Sequence, residues 1–273
     1  MIDHRMREHV FDQAVALELQ AHGSFSGHTS PAYANMVGPF GGISAAQMMN
    51  AVLLHPQRLG EPVSLTVNFA AALDPGPFSI VARPARTNRS TQHWTIELFQ
   101  QGETVMIGTA FTALRRETWS VDEEAMPECP APEQVPLGQG PIPMEWIKRY
   151  EMRPIAGAMP KVWDGSGDTS LTRLWMRDNP PRPLDFVSLT ALSDVFFPRV
   201  FVRRATLVPI GTVTMTVYFH ADSAQLQACG EGYLLGQAQA QAFRNGYFDQ
   251  TSQLWSQAGV LLVTTHQVVY YKE

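Results

Sequence analysis

Two stretches of this chain are apolar on nearly every side, and most of the remainder alternates between apolar and polar residues. Residues 184–198, LDFVSLTALSDVFFP, form an almost continuous apolar run long enough for about three helical turns. Residues 38–56, GPFGGISAAQMMNAVLLHP, open on a Gly-rich turn and continue in strong helix formers as far as Pro56. A helix that is apolar all round belongs in a core, so two buried helices are expected. From Pro62 the period changes to two, with Leu65, Val67 and Phe69 on one face and Ser64, Thr66 and Asn68 on the other. Strand-like runs follow at 78–85, 93–100 and 105–114, separated by turn signals at 74–76, 87–89 and 101–102. Near the N-terminus, residues 11–25 read as a strand by partial alternation, and HGSFSGHTSPAY, from 22, reads as loop.

The order then repeats. Residues 117–143 are rich in Glu, Pro, Gly and Gln and read as a partly extended linker. Beyond them come an edge segment at 146–152, a Gly/Asp loop at 164–168, a strand-like run at 171–176 and the helix of 184–198. An alternating strand follows at 212–220, with Val213, Met215, Val217 and Phe219 on one face, and strand-like runs close the chain at 231–248 and 260–271. TMTVYFHA at 214–221 lies over SLTVNFAA at 64–71, and 102–113 over 258–269, which sets Thr109 on Thr265 and Phe111 on Gln267. Helix plus long strands, twice, is an internally duplicated α+β chain.

Composition narrows the class. The chain has 273 residues, 45% of them hydrophobic, enough for one large domain or two ordinary ones. The net charge of -5 is spread without blocks of like sign, which gives no footprint for nucleic acid or an anionic membrane. No apolar run reaches about 18 residues, the N-terminus MIDHRMREHVFDQ lacks the apolar core of a secretory signal, and a cytoplasmic setting is the expectation. Cys129 and Cys229 have no metal-ligand spacing and make no disulfide framework. No metal or cofactor is expected.

One residue breaks the apolar pattern. Asp194 is the lone acid near the end of the 184–198 helix, where the helix dipole disfavours a negative charge and burial demands a partner or a proton. Gly41 and Gly42, at the start of the first helix, have two readings. Either they expose backbone N–H groups to a substrate oxygen, or they make a tight turn into a close-packed helix.

In order and spacing, several segments together resemble the acyl-CoA thioesterase II family. In the first half these are PFGG before the helix, NFAAALDPG, and GETVMIGTAFTAL. In the second they are YEMRP, LWMRDNPPRPLDFVSLTALSD, TVTMTVYFH and QAGVLLVTTHQ. The resemblance implies a double hotdog: an N-terminal copy at 1–117 without catalytic residues, a Pro-rich linker at 118–143, and a C-terminal copy at 144–273 that carries the site. It also implies a catalytic set of Asp, Thr and Gln holding a water, which falls on Asp194, Thr212 and Gln267. In the first half Pro62 stands where Thr212 would be and Phe111 where Gln267 would be, so one site per chain is expected. The implied activity is hydrolysis of acyl-CoA to free acid and coenzyme A. The implied assembly is a homodimer. A non-catalytic acyl-CoA binder on the same fold is the alternative, and a hotdog hydratase is disfavoured because the central helix offers no His.

Overall fold

The computed structural model describes residues 9–138 and 144–273. The first eight residues of the segment read for a secretory signal, and residues 139–143 of the Pro-rich stretch, lie outside them. The first half contains α1 (Val10–Val15), β1 (Glu18–Leu19), β2 (Ser24–His28), α2 (Gly41–Leu53), β3 (Glu61–Phe69), β4 (Pro77–Thr87), β5 (Thr91–Gln100) and β6 (Glu103–Ala113). The second contains β7 (Tyr150–Ala156), β8 (Thr172–Asp178), α3 (Phe186–Leu192), α4 (Arg199–Arg204) and β9 (Ile210–Phe219). It continues through α5 (Ser223–Cys229), β10 (Leu234–Gln239), β11 (Phe243–Arg244), β12 (Tyr247–Ser256) and β13 (Leu261–Tyr271).

These strands form one antiparallel sheet in the order β1-β2-β4-β5-β6-β3-β9-β13-β12-β10-β8-β7, with β11 attached to β12. Outward from the β3–β9 seam the order is the same in both directions, one copy of the fold on each side. At the seam Thr66 pairs with Thr216, and their hydroxyl oxygens lie 3.0 Å apart. These two residues are equivalent in the sequence repeat, so they mark the pseudo-twofold axis. The α+β double-hotdog arrangement expected from the duplication is the arrangement observed.

The inner face of the sheet wraps α2 and α3. In α2 nearly every residue from Gly42 to Val52 is buried, polar ones included. Gln47 and Asn50 are accommodated because their amides donate to the Ala14 and Val15 carbonyls at the end of α1, each at 2.8 Å. Gly42 lets the two helices touch: a Cβ there would stand 2.7 Å from the Ala191 carbonyl oxygen of α3.

Several expected elements differ. The strand read at 11–25 begins instead as α1, because Phe11, Ala14 and Val15 bury at helical spacing, and His9 accepts from the Phe11 N–H at its start. The stretch read as loop contains β2, which pairs with β4. The helix read across 184–198 is only seven residues long. It is capped by Asp185, whose carboxylate accepts from the Ser188 N–H at 2.8 Å, and the chain leaves it at Ser193, whose hydroxyl donates back to the Leu189 carbonyl. Asp194 therefore lies in the turn after α3, and a new helix, α4, starts after Pro198. α5 is a helix beyond those expected, and Asp222 and Gln225 form the capping box that starts it.

The Pro-rich linker is a strap as far as it is described. It crosses the sheet face opposite the helices, where Trp175 Nε1 donates to the Pro130 carbonyl at 2.9 Å and Trp255 Nε1 to the Glu124 carbonyl at 3.3 Å. Val135 packs there with Trp175, Leu235 and Trp255.

Candidate active site

The three residues expected to act together come from three elements. Asp194 is placed by the turn closing α3, where its N–H donates to the Ala191 carbonyl at 3.1 Å. Gln267 stands mid-way along β13, facing inward, and its Nε2 donates to Asp194 Oδ1 at 2.7 Å. Thr212 faces the same cleft from β9 because of a bulge. The ladder pairs Thr214 with Val268 and Thr212 with Val269, which leaves Val213 as an extra residue and reverses the alternation beyond it. Val213, expected on the buried face, is accordingly exposed. The Thr212 hydroxyl has no hydrogen bond to protein among the described residues and makes no direct contact of that kind with Asp194.

The first half supplies the opposite wall. The start of α2 has no side-chain cap among the described residues, unlike α3: the Ile43 and Ser44 N–H groups donate to the Phe40 carbonyl, and the Gly41 N–H has no partner among those residues. A Cβ at Gly41 would come within 3.0 Å of Asp194 Oδ2. The Gly42 N–H is turned toward the same carboxyl, so this glycine interacts with the acid as well as packing on α3. Of the two glycines, only Gly41 lines the cleft.

Burial dominates the electrostatics of the acid. Desolvation pushes the Asp194 carboxyl up to about 7, against the opposing effects of the Gln267 amide and the Gly42 N–H, which favour the charged form. Such a group is poised between protonation states near neutral pH.

Two clefts meet at this point. An inner one, about 660 Å³ counted with its open mouth, holds Asp194, Gln267 and Thr212 among aromatic and methionine side chains such as Phe40, Trp146, Phe197 and Phe248. An outer one runs along Val37, Phe69, Ala71, Val213 and Tyr270. Asn35, Gly41, Ile210 and Thr212 line both. Sequence reasoning missed Asn35, whose Oδ1 accepts from Trp146 Nε1 at 3.3 Å, and Gln250, which lines the inner cleft from β12. Nothing in local sequence marks Asn35, a loop residue. Gln250 was hidden because β12 presents Gln250 and Ser252 inward, so no apolar alternation reveals it as a strand.

The first half lacks the set, with one revision. β3 carries the matching bulge between Pro62 and Ser64, which puts Pro62 in the place of Thr212. But Leu65, the counterpart of Met215, pairs with Ala110, so Ala110 and not Phe111 occupies the position of Gln267. The expected overlay is displaced by one residue there, because the pairing of β6 with β3 and of β13 with β9, and not residue identity along the strand, sets which side chain faces the cleft. Among the described residues no cluster of His, Cys, Asp or Glu could hold a metal, and no helix is long and apolar enough to cross a membrane.

Two helices back to back inside one continuous sheet define a double-hotdog protein, here with an acid and an amide beside the start of one helix. The chain belongs to the acyl-CoA thioesterase family: the family model for the N-terminal domain matches residues 30–113 and that for the C-terminal domain residues 123–271. A hotdog-fold protein of unknown function from Alicyclobacillus acidocaldarius is similar at 49% identity, covering 97% of this chain and 99% of that one, with a TM-score of 0.92. The fold is shared at 18% identity with a putative thioesterase II from Thermobifida fusca (96% and 97% covered, TM-score 0.81). An acyl-CoA thioesterase II, TesB2, from Mycobacterium marinum shares it at the same identity (96% and 98%, TM-score 0.76). Comparison with curated proteins gives no match.

Proposed function

We propose that the protein hydrolyses acyl-CoA thioesters to the free carboxylic acid and coenzyme A, with one working site per chain formed by Asp194, Gln267 and Thr212. The observation that carries this reading is the 2.7 Å hydrogen bond from Gln267 to Asp194, made inside a cleft and beside an uncapped helix start. Gln267 fixes one carboxylate oxygen and keeps its own carbonyl free to accept from a water. The Thr212 hydroxyl supplies a further contact for that water.

Asp194 takes a proton from the water as its oxygen bonds to the thioester carbon. The charge that develops on the carbonyl oxygen is met by the free Gly41 N–H at the positive end of α2. The tetrahedral adduct then collapses, the C–S bond breaks, and the thiolate takes the proton held by Asp194. A thiol of pKa about 8.5 leaves readily, so no separate acid and no Ser or Cys nucleophile is required.

The test is thiol release from acyl-CoAs of graded length. Asp194→Asn and Gln267→Ala are expected to lose it while remaining folded. Near wild-type release from both would overturn the assignment. Binding of acyl-CoA with no release across the panel would make the protein a binder instead. A reduced, cytoplasmic setting belongs to the same reading, as does a homodimer formed through the outer sheet face, where Tyr218, Val268 and Tyr270 are exposed.

A further inference from the structure

Gln250 stands opposite Gln267 in the β12–β13 ladder, and its side chain lines the inner cleft. It is only 3% exposed, yet its amide makes no hydrogen bond among the described residues. Its neighbours on the same face differ. Ser252 and Thr265, one pair along, hydrogen-bond each other, Gln267 is engaged with Asp194, and Phe248 and Val269, one pair the other way, are apolar. Its amide nitrogen and oxygen are not sealed off but reach the cleft, where two donors and an acceptor are open to a ligand or water.

The geometry of the two clefts says what completes them. Gly41 and Thr212 belong to both clefts, whereas Asp194, Gln267 and Gln250 belong to the inner one alone. A thioester whose carbonyl sits at the junction therefore sends its coenzyme arm along the outer cleft and its acyl group inward, past Gln250. Directly opposed strand residues have Cβ atoms about 5 Å apart, so Gln250 meets the acyl group close to the thioester carbon. A plain alkyl chain would leave the amide unpaired there.

We infer that Gln250 is a specificity-determining residue that hydrogen-bonds an oxygen substituent, hydroxyl or oxo, carried by the acyl group near its thioester carbon. The preferred substrates are oxygenated acyl thioesters over their plain alkyl counterparts. This rests on the hydrolytic reading only for which cleft takes the acyl group.

The experiment uses a matched pair, butyryl-CoA and 3-hydroxybutyryl-CoA, with wild type, Gln250→Leu and Gln250→Met, each checked for folding by thermal melting. Wild type should favour the hydroxylated substrate in kcat/KM by about tenfold or more, and both variants should erase that ratio while plain-acyl turnover stays within about threefold. In parallel, calorimetry reads the affinities of the butyl and 3-hydroxybutyl thioethers of coenzyme A, which cannot be hydrolysed. If no thiol is released but the affinity ratio depends on Gln250, the hydrolytic reading fails and this inference stands. Normal turnover with a ratio indifferent to Gln250 overturns the inference alone. Equal loss of both substrates in both variants, or no binding of either thioether, overturns it too.

Discussion

Burial of Asp194 bears both on the base proposed for hydrolysis and on the stability of the fold. Its carboxyl is raised from an ordinary value of 3.8 to about 7 by desolvation, with Gln267 and Gly42 holding it lower than burial alone would. If the carboxylate is the base, kcat/KM for thiol release should rise about tenfold per pH unit below 7 and level off above it. A flat profile between pH 5 and 8 would argue for another base. Removing the Gln267 donor removes a lowering influence, so Gln267→Ala, if residual activity is measurable, should move that inflection upward. The same raised pKa makes the group a burden once ionised. Its folded-state pKa lies above its unfolded one, so its contribution to stability is fully present below about 3.8 and lost as pH rises through about 7. Asp194→Asn should therefore melt at a higher temperature than wild type at pH 8 and show no such advantage at pH 4, a comparison made directly by calorimetry.

At the scale of elements, the helix contact and the bulged strands position these atoms. Gly42→Ala would force a methyl against the Ala191 carbonyl, and chemical denaturation should show a loss of about 1–3 kcal/mol. Gly41→Ala meets Asp194 Oδ2 instead, so thiol release should fall by about tenfold or more with little change in the denaturation midpoint. Much of this level was legible beforehand. The apolar runs announced α2 and α3, simple alternation announced β3 to β6, and the family resemblance pointed to Asp194, Thr212 and Gln267. What stayed hidden was hidden physically. Alternation places Thr212 and Val213 on opposite faces but cannot foresee the bulge that turns Thr212 inward. β12 buries polar side chains, so its inward row does not look like an inward row. Asp194 read as a helix residue because the apolar composition continues beyond Leu192, where the hydrogen-bonded helix stops.

Across the whole molecule a second buried acid matters. Asp178 accepts from the Ser188 hydroxyl through Oδ2, while its Oδ1 is buried without a partner among the described residues, and desolvation pushes its carboxyl up to about 6. By the same sign, its contribution is present below about 3.8 and lost as pH rises through about 6. With Asp194 it predicts that unfolding free energy declines between pH 4 and 7, and that Asp178→Asn removes on the order of 2 kcal/mol of that decline. A decline unchanged in this variant, followed by urea titration, would place the pH dependence elsewhere. The pairing of Thr66 with Thr216 has a different kind of consequence. An interface in which a residue meets its own counterpart is what two identical subunits make about a dyad. A chain half this length, pairing β3 with a second copy of itself, would build the same sheet with two equal clefts. Joining the copies by the strap over Trp175 and Trp255 releases each half from serving both roles. The equivalent positions accordingly differ, with Pro62 and Ala110 in one half and Thr212 and Gln267 in the other. The helix start at Gly41, in the half without an acid and amide pair, lies instead against the acid of the other half.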